Sequence, residues 1–364
     1  MDFPKNNGFI KLDNPRAWRT YIGGSRISQI HNQKKEINHF PEEWIMSLVE
    51  ARNTGRENIT EGLSHLVDYN NLSLKDLIKS NPSYYLGEKH FEKYQDKTGV
   101  LVKLIDSAER LTVQVHPNKQ KAKELFNSNF GKTECWYILD DKIQDNIIPC
   151  LYLGFKKGIT REKWKELFDK QDIQGMLDLM HKIPVKKGDT VLIKGGLPHA
   201  IGQNCFLVEI QEPTDYTIRI ERTTPAGFKI SDFMCHQGLG FEKMFDCFNY
   251  QGMSLDEIKK NYFIPAKILL DDLQGNVLTN LIGYDSTNLF KLNRIDVKTK
   301  INIQNNNDKF SGLYVLNGNG LAKSQNSKID LNKGEQIFIP AKVGNFEIQA
   351  NSPLTIMQFF GPKD

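Results

Sequence analysis

Residues 188–199 read GDTVLIKGGLPH, and residues 334–345 near the other end of the chain read GEQIFIPAKVGN. Each segment starts with a glycine, continues into a short apolar run that favours a β-strand, and then turns. The two segments also agree in spacing at the sixth, eighth and eleventh positions after the glycine, which hold Lys194, Gly196 and His199 in the first and Pro340, Lys342 and Asn345 in the second. The chain therefore repeats one structural unit, and only the earlier copy keeps the histidine.

The regions around both segments are rich in short strand-like runs. The last hundred residues consist of strand and turn signals, including the turn at 317–320 between two apolar runs. In the first half, strands are predicted at 100–105, 111–116, 135–139, 150–155, 190–193, 206–211 and 216–220. Many short strands that close on themselves are typical of a jelly-roll barrel, which removes exposed sheet edges.

Helical patterns are fewer. Residues 40–95 are mostly helical or loop-like, with a short amphipathic helix at 72–78 that Ser73 caps. A second helical stretch is predicted from Thr160 to Ile183, with Thr160 as its cap. We therefore expect a mainly β protein of two jelly-roll barrels. The first barrel occupies residues 1–262 and carries a helical insertion at about 158–183, and a degenerate second barrel occupies 263–364.

Composition excludes several classes of protein. The 364 residues carry 48 basic and 44 acidic side chains, and a net charge of +4 is too small to indicate nucleic-acid or membrane binding. No run approaches the roughly 18 apolar residues of a membrane span, and the N-terminus lacks a secretory pattern. The five cysteines are odd in number and form no CxxC pair, which favours reduced thiols and a cytoplasmic location. A monomer or a homodimer is compatible with these features.

Polar residues recur at strand positions that share a face. Gln114 and His116 are two residues apart, as are Lys132 and Glu134, so each pair leaves its strand on one side. His199 follows the turn formed by residues 195–198. One amide, one carboxylate and two imidazoles form a mixed nitrogen and oxygen set that suits Zn²⁺ with a vacant position, although iron or manganese fits the same ligand types.

Four segments resemble the type I phosphomannose isomerases. Residues 111–119 (LTVQVHPNK) resemble the QVHP segment of that family, and 131–137 (GKTECWY) match its GKTECWY segment in the form found in shorter bacterial members. Residues 195–202 (GGLPHAIG) are similar to its third metal segment, and 215–219 (DYTIR) keep its aspartate and arginine four residues apart. The glycine-led repeat likewise resembles the second signature segment of the cupin fold, to which this family belongs.

The resemblance implies a set of roles. It implies one zinc ion per chain, held by Gln114, His116, Glu134 and His199. Lys132 and Arg219 would line the sugar site with Asp215 beside them, and Lys103 and Thr112 would hold the substrate phosphate. Thr112 stands where the family usually has serine. The implied reaction interconverts mannose 6-phosphate and fructose 6-phosphate through an enediol intermediate, so the expected partner is a small hexose phosphate.

Several alternatives stay open at this stage. The general base is Asp215, Lys132 or a metal-bound hydroxide. Lys103 lies in an apolar strand. An alternative role for it is therefore structural, with the aliphatic stem packed against apolar neighbours and the ammonium group extended to solvent. Asp215 and Arg219 can also be interpreted as a structural ion pair. The rival functions are a cupin oxygenase, which would more often show a histidine-x-histidine pair where Gln114 stands, and a non-enzymatic sugar-phosphate sensor.

Overall fold

The computed structural model describes residues 8–69, 72–305 and 309–363. None of the helices in these residues is long and apolar enough to cross a membrane. The helices are short and lie mostly between strands: α1 Arg26–Ile30, α2 Leu74–Ser80, α3 Pro82–Leu86, α4 Glu88–Tyr94, α5 Lys119–Phe126, α6 Arg161–Lys170, α7 Ile173–Asp178, α8 Asp232–His236, α9 Gly240–Lys243 and α10 Leu255–Tyr262.

Strands dominate the rest of the described chain, so the prediction of a mainly β, cupin-type fold is confirmed. They are β1 Ile10–Leu12, β2 Arg16–Ala17, β3 Glu42–Ile45, β4 Leu101–Asp106, β5 Gln114–Val115, β6 Glu134–Asp140, β7 Cys150–Phe155, β8 Met180–Pro184, β9 Thr190–Ile193, β10 His199–Ile201, β11 Phe206–Gln211, β12 Ile218–Arg219, β13 Lys267–Asp271, β14 Val277–Ile282, β15 Lys291–Val297, β16 Lys300–Ile303, β17 Ser311–Asn317, β18 Asn319–Ser324, β19 Lys328–Asn332, β20 Gln336–Ile339, β21 Phe346–Ala350 and β22 Leu354–Phe360.

The strands form two sandwiches of paired sheets rather than closed barrels. In the N-terminal sandwich, a six-stranded sheet (β2-β3-β4-β11-β6-β9) faces a five-stranded one (β12-β5-β10-β7-β8). In the C-terminal sandwich, a seven-stranded sheet (β1-β20-β17-β22-β15-β14-β13) faces a four-stranded one (β16-β21-β18-β19). The N-terminal strand β1 pairs with β20, so the beginning of the chain completes the C-terminal sandwich.

One apolar core lies between the two sandwiches, and each sandwich also has an apolar core of its own. Alternate residues of β4 illustrate the arrangement: Val102 and Leu104 belong to the core that also contains Phe338 and Phe359 of the C-terminal sheet, whereas Ile105 packs inside the N-terminal sandwich. All six residues of β4 are buried as a result. The odd-numbered positions of β4, including Lys103, therefore face the interior where the predicted site lies.

The structure corrects four element predictions, two of which are the strand at 216–220, reduced to Ile218–Arg219, and the helical or loop-like stretch at 40–95, which contains β3. The stretch from 160 to 183 is helical only to Asp178, and Met180–Pro184 forms β8 along the edge of the five-stranded sheet. The strand predicted at 111–116 is reduced to Gln114–Val115, because the Val113 N–H donates to the Glu221 carboxylate at 2.6 Å instead of joining a ladder. Both predicted helix caps are confirmed, since the Ser73 and Thr160 side chains accept the backbone N–H groups of their first helical turns.

Candidate metal and substrate site

The predicted metal ligands come from both sheets of the N-terminal sandwich. Gln114 lies in β5, and its backbone register sets it opposite His199 of β10 on one side and Arg219 of β12 on the other. His116 follows β5 directly, and Glu134 is the first residue of β6 in the facing sheet. Strand pairing thus brings residues that are far apart in the sequence to one point in the interior.

Three of the four predicted metal ligands, the two histidines and the glutamate, form a compact buried cluster. The candidate ligand atoms of His116, Glu134 and His199 all lie within 4.8 Å of one another. His116 Nε2 is 2.9 Å from Glu134 Oε1, and His199 Nε2 is 3.9 Å from Glu134 Oε2. The Gln114 amide lies 3.4 Å from His199 Nε2, and a half-turn of the amide presents its oxygen at the same point. The structure therefore brings all four predicted ligands together.

Backbone carbonyls orient both imidazole rings. His116 Nδ1 lies 2.9 Å from the Tyr216 carbonyl, and His199 Nδ1 lies 2.8 Å from the Leu197 carbonyl. A carbonyl oxygen only accepts, so each Nδ1 carries the proton and each Nε2 presents its lone pair to the cluster. Fixing the tautomer through the distal nitrogen in this way is the usual arrangement behind histidine metal ligands.

The bonding state of Glu134 tests whether the cluster suits a metal. Both of its carboxylate oxygens are buried, and within the described residues neither has a donor in hydrogen-bond geometry, although Lys132 Nζ lies 3.0 Å from Oε1. Burial opposes ionisation of Glu134, but the Lys132 ammonium beside it holds the pKa of the carboxyl well below its usual range. An ionised, buried carboxylate without hydrogen bonds destabilises the folded protein unless a cation lies next to it, so the position suits a metal ion.

Burial also keeps both histidines neutral. Desolvation lowers the pKa of His116 to about 3, against the opposing attraction of Glu134. Desolvation likewise lowers the pKa of His199. Neutral imidazole is the form that binds metals, so the donor set and its protonation both fit a divalent cation.

Two glycines allow the ligand-bearing loops to approach closely. A Cβ on Gly195 would lie 2.5 Å from the Asn118 Cα, and one on Gly131 would lie 2.8 Å from the Lys119 nitrogen. The turn after His116 therefore fits between the loops that lead to Glu134 and His199 only because these positions lack side chains. The glycines of the predicted metal segments have this packing role.

A cavity adjoins the cluster and gathers the predicted substrate residues. Its lining includes Gln114 and Glu134 together with all five residues predicted for the sugar and phosphate, namely Lys103, Thr112, Lys132, Asp215 and Arg219. Lys132 Nζ lies 3.2 Å from His116 Nε2 and 3.4 Å from Thr217 Oγ1. It is the cationic side chain beside the metal cluster.

Arg219 and Asp215 line the same cavity with separate partners. Arg219 donates to the carbonyls of Met234 at 2.9 Å and Thr217 at 3.3 Å. Asp215 instead pairs with Arg19 at 3.4 Å and accepts the Arg52 N–H at 3.3 Å. The alternative of a structural ion pair between Asp215 and Arg219 therefore does not describe the contacts among these residues.

Lys103 is a buried residue of the cavity lining. Its ammonium lies 3.0 Å from Glu209 Oε1 and 3.6 Å from Glu42 Oε2, and it sits over the Trp44 ring at 5.2 Å. Burial opposes its charge, but Glu209 and Glu42 outweigh burial and raise the pKa of Lys103. Lys103 is therefore ionised and points into the cavity rather than along the apolar strand.

Arg19 and Glu42 also line the cavity, although no sequence motif indicates them. Arg19 is buried, donates from Nε to Glu42 Oε2 at 2.9 Å, and lies over the Trp44 ring at 5.0 Å. Burial opposes ionisation of both Glu42 and Asp215, yet Arg19 and Lys103 lower the pKa of Glu42 to about 2 and hold the pKa of Asp215 below its ordinary value. Arg19 thus links the N-terminal segment to the predicted catalytic aspartate.

Glu209 is a third such residue of the cavity lining. It lies in the middle of buried β11, where a carboxylate breaks an apolar run, and Trp136 Nε1 donates to it at 2.9 Å. Burial is the main cause that raises the pKa of Glu209, followed by the nearby Glu134. A single acid in an otherwise apolar strand was the signal that could have identified it.

Two family models match separate parts of the chain. Residues 59–140 match the catalytic domain of type I phosphomannose isomerase, and residues 283–357 match the cupin domain of mannose-6-phosphate isomerase. These ranges fall in the N-terminal and C-terminal sandwiches respectively, and the first contains Gln114, His116 and Glu134. The resemblance seen in the sequence motifs is confirmed.

Relatives and solved structures agree with these models. The chain is 28% identical to the probable mannose-6-phosphate isomerase GmuF of Bacillus subtilis, over 71% of this chain and 74% of that protein. It superposes on the crystal structure of mannose 6-phosphate isomerase from Bacillus subtilis with a TM-score of 0.73 at 20% identity, over 97% and 99% of the two chains. A putative mannosephosphate isomerase from Archaeoglobus fulgidus gives a TM-score of 0.72 at 19% identity, over 100% and 99%. The prediction of an isomerase of this kind is confirmed by the agreement of models and relatives.

Proposed function

We propose that this chain, as a relative of the type I phosphomannose isomerases, interconverts mannose 6-phosphate and fructose 6-phosphate. The observation that carries the proposal is that a candidate metal cluster and a cavity lined by cationic side chains adjoin each other inside the N-terminal sandwich. A buried cluster of His116, Glu134 and His199 opens onto a cavity that presents Lys132 and Arg219. A metal site beside fixed cations is what an aldose–ketose isomerisation requires, because negative charge develops on neighbouring sugar oxygens.

The proposed cofactor is one zinc ion per chain. Gln114, His116, Glu134 and His199 would hold it, and the donor types and the orphaned Glu134 oxygens support this choice. Bound zinc would supply a Lewis acid that polarises the sugar oxygens at C1 and C2. Two imidazoles and one carboxylate suit Fe²⁺ as well as Zn²⁺. Zinc is chosen because the proposed isomerisation needs a Lewis acid and no change of oxidation state at the metal.

Charge supports a phosphorylated substrate. Formally, the cavity lining balances four cations with four carboxylates, namely Arg19, Lys103, Lys132 and Arg219 against Glu42, Glu134, Glu209 and Asp215. A divalent metal therefore leaves an excess of two positive charges in a buried space. A sugar phosphate brings nearly two negative charges at neutral pH, so the loaded site and this substrate class are complementary.

The side chains have separate proposed roles. Arg219, fixed by the carbonyls of Met234 and Thr217, would stabilise the enediolate. Lys132, which touches both the cluster and the cavity, would assist ring opening or hold a proton near the sugar oxygens. Thr112 and Lys103 would bind the phosphate, with the hydroxyl and the ammonium as donors.

Glu209 joins Asp215, Lys132 and a metal-bound hydroxide as a candidate general base, and the two carboxyl groups can be tested against each other. Asp215 is held ionised by Arg19, whereas burial raises the pKa of Glu209 toward the range where proton transfer is most effective. Asp215→Asn and Glu209→Gln should be compared in an assay of solvent-proton exchange at C2, with metal content measured in each variant. The variant that retains metal but loses exchange identifies the base, and unchanged exchange in Asp215→Asn removes Asp215 from that role.

We also propose the extent and location of the catalytic unit. Residues 1–262 would form the metal-binding catalytic domain and 263–364 the degenerate cupin domain, and β1 connects them because it pairs with β20.

The five cysteines are unpaired and buried, which supports a reducing compartment such as the cytoplasm.

The direct test is a coupled assay of the purified, zinc-loaded protein with mannose 6-phosphate. Turnover to fructose 6-phosphate that falls by at least about 100-fold in Arg219→Met, at unchanged metal content, is the expected result. Mannose without the phosphate serves as the control substrate. A metal-loaded protein that turns over neither sugar would contradict the proposed activity while leaving the metal cluster intact.

A further inference from the structure

One edge strand of the C-terminal sandwich is apolar and uncovered. All five residues of β13, Lys267–Asp271, are exposed, and three of them are the consecutive apolar residues Ile268, Leu269 and Leu270. Leu273, two residues further on, is fully exposed at 108%. Of the eleven large hydrophobic residues that are exposed in the described part of the chain, four therefore lie in one six-residue stretch. Such a concentration indicates an interaction surface rather than scattered surface residues.

The position of β13 in its sheet determines how a partner can bind. It is the outer strand of the seven-stranded sheet, and it pairs with β14 on one side only. The opposite edge, β1, is covered, because Leu12 bridges to Leu66 and the Val67 N–H donates to the Lys11 carbonyl at 3.1 Å. A head-to-tail chain of copies through the two edges of this sheet is therefore blocked, whereas two copies of β13 can pair with each other.

We propose that two copies of this chain form a dimer by antiparallel pairing of their β13 strands. A two-fold interface needs a surface that complements itself, and this strand does so in one register. With Leu269 opposite its own counterpart, Ile268 faces Leu270 of the second copy, and Lys267 faces Asp271. Apolar residues meet apolar residues, and opposite charges meet at both ends.

Other arrangements fit less well. Shifting the register by one residue keeps a lysine opposite Asp272 but sets Ile268 against Asp271. A parallel pairing sets Lys267 beside its own copy and leaves like charges side by side. Within one chain Lys267 already bonds to Asp285, so the ammonium would lie between two carboxylates in the dimer. The charge pattern therefore selects a second copy in the antiparallel register.

The inner pairing of β13 leaves the central residue available. Its register to β14 shifts between Ile268 and Leu270, so Leu269 is the extra residue of a bulge and has no partner in β14. The residue on the proposed two-fold axis is thus the one that has no opposite residue in β14. New backbone hydrogen bonds at this point add to the burial of the apolar side chains.

Light scattering coupled to size-exclusion chromatography tests the dimer directly. The wild-type protein is expected to have twice the mass of the 41.8 kDa chain. Leu269→Lys places two like charges on the axis and is expected to give the mass of one chain, with an unchanged far-ultraviolet spectrum. Ile143→Lys, at another exposed position (61% exposed), is the matched control and should leave the dimer intact.

A charge exchange separates this interface from any other. Lys267→Asp alone is expected to weaken dimerisation at least tenfold, because aspartates then face each other, and Lys267→Asp combined with Asp271→Lys is expected to restore it. A Leu269→Cys variant should also cross-link under mild oxidation, since the native cysteines are buried and opposed residues lie about 5 Å apart. A wild-type monomer at 100 μM, or a dimer unaffected by both Leu269→Lys and Lys267→Asp, would overturn the proposal.

Discussion

The two sandwiches share a glycine-led segment, yet their interiors differ. In the N-terminal copy the segment ends at His199, which is fully buried and points Nε2 at Glu134. In the C-terminal copy the equivalent Asn345 is exposed, and its side-chain oxygen accepts the Asn305 N–H at 2.8 Å to tie two loops. The same turn therefore leads to a candidate metal ligand in one sandwich and only to a loop contact in the other.

The cores reinforce this contrast. Between the C-terminal sheets lie aliphatic and aromatic side chains such as Leu313, Leu331 and Ile356. Between the N-terminal sheets, the apolar core shares its space with the cavity and its buried ionised groups. Burying a charge costs free energy unless it is paired, and the N-terminal interior pairs Lys103 with Glu209 and Lys132 with Glu134. We therefore expect the C-terminal sandwich to supply stability rather than chemistry.

The largest difference between the two sandwiches is expected when the last residue of each glycine-led segment is replaced by alanine. His199→Ala, at the candidate metal cluster, is expected to abolish metal binding and to lower isomerase turnover by at least about 100-fold, because one of the cluster's two imidazoles is lost. Asn345→Ala in the C-terminal copy is expected to change neither. Metal analysis by mass spectrometry and the coupled assay measure both effects, and equal losses in the two variants would refute the division of roles.

Arg19→Met should have the next largest effect. Arg19 helps to lower the pKa of Asp215, so the folded-state pKa of Asp215 is expected to rise in the variant. The acidic limb of the kcat/KM profile should then move to higher pH, and activity at neutral pH should fall by roughly tenfold or more.

The control for this experiment is Arg19→Lys, which keeps the charge but not the fork that reaches both Glu42 and Asp215. It should retain the wild-type position of the acidic limb more closely than the methionine variant does. A pH profile that is identical in all three proteins would show that Arg19 has no influence on the cavity's ionisation.

Ile356→Ala tests the structural role of the C-terminal core. Its side chain is fully buried between the sheets, and its removal is expected to cost about 2–5 kcal/mol of unfolding free energy through lost burial and a cavity. Metal content and turnover per folded molecule should stay at wild-type values. Urea denaturation measures the loss of stability, and a large fall in turnover without a loss of stability would contradict the assignment.

The smallest expected effect concerns acid stability in the N-terminal sandwich. The pKa of Glu42 falls from 4.5 to about 2 in the folded protein, where Arg19 and Lys103 outweigh burial. A depressed pKa stabilises the fold above the unfolded-state value, by about 3 kcal/mol at neutral pH, and that contribution disappears as the pH falls from about 4.5 toward 2. The stability advantage of the wild type over Glu42→Gln should therefore shrink between pH 6 and pH 3.5 in urea denaturation, and a constant difference would exclude this linkage.

Sequence patterns predicted the fold where local and global signals agree. Strand β11 matches its predicted range of 206–211, because an apolar run there is buried on both faces. Strand β3 was missed, since its two acidic residues look like a loop until Arg19 and Tyr314 bind them from distant parts of the chain. The helix predicted to reach 183 ends early because Met180–Pro184 is recruited as an edge strand by β7.

In the site, too, some residues could be predicted from local sequence and others depend on contacts between distant parts of the chain. The four ligand types could be predicted because pairs such as Gln114 and His116 share a strand face, and the sheets then bring the pairs together. Arg19 and Glu209 could not, because each acts through partners that only the folded chain places beside it. Short motifs encode ligands, whereas the charge balance around them is a property of the tertiary structure.

The most direct test of the central claim is anomalous diffraction at the zinc edge from crystals of the zinc-loaded protein. We predict one strong peak per chain, within bonding distance of His116 Nε2, Glu134 and His199 Nε2, and no peak inside the C-terminal sandwich. A peak elsewhere, or a loaded and active protein with no zinc at this cluster, would contradict the account.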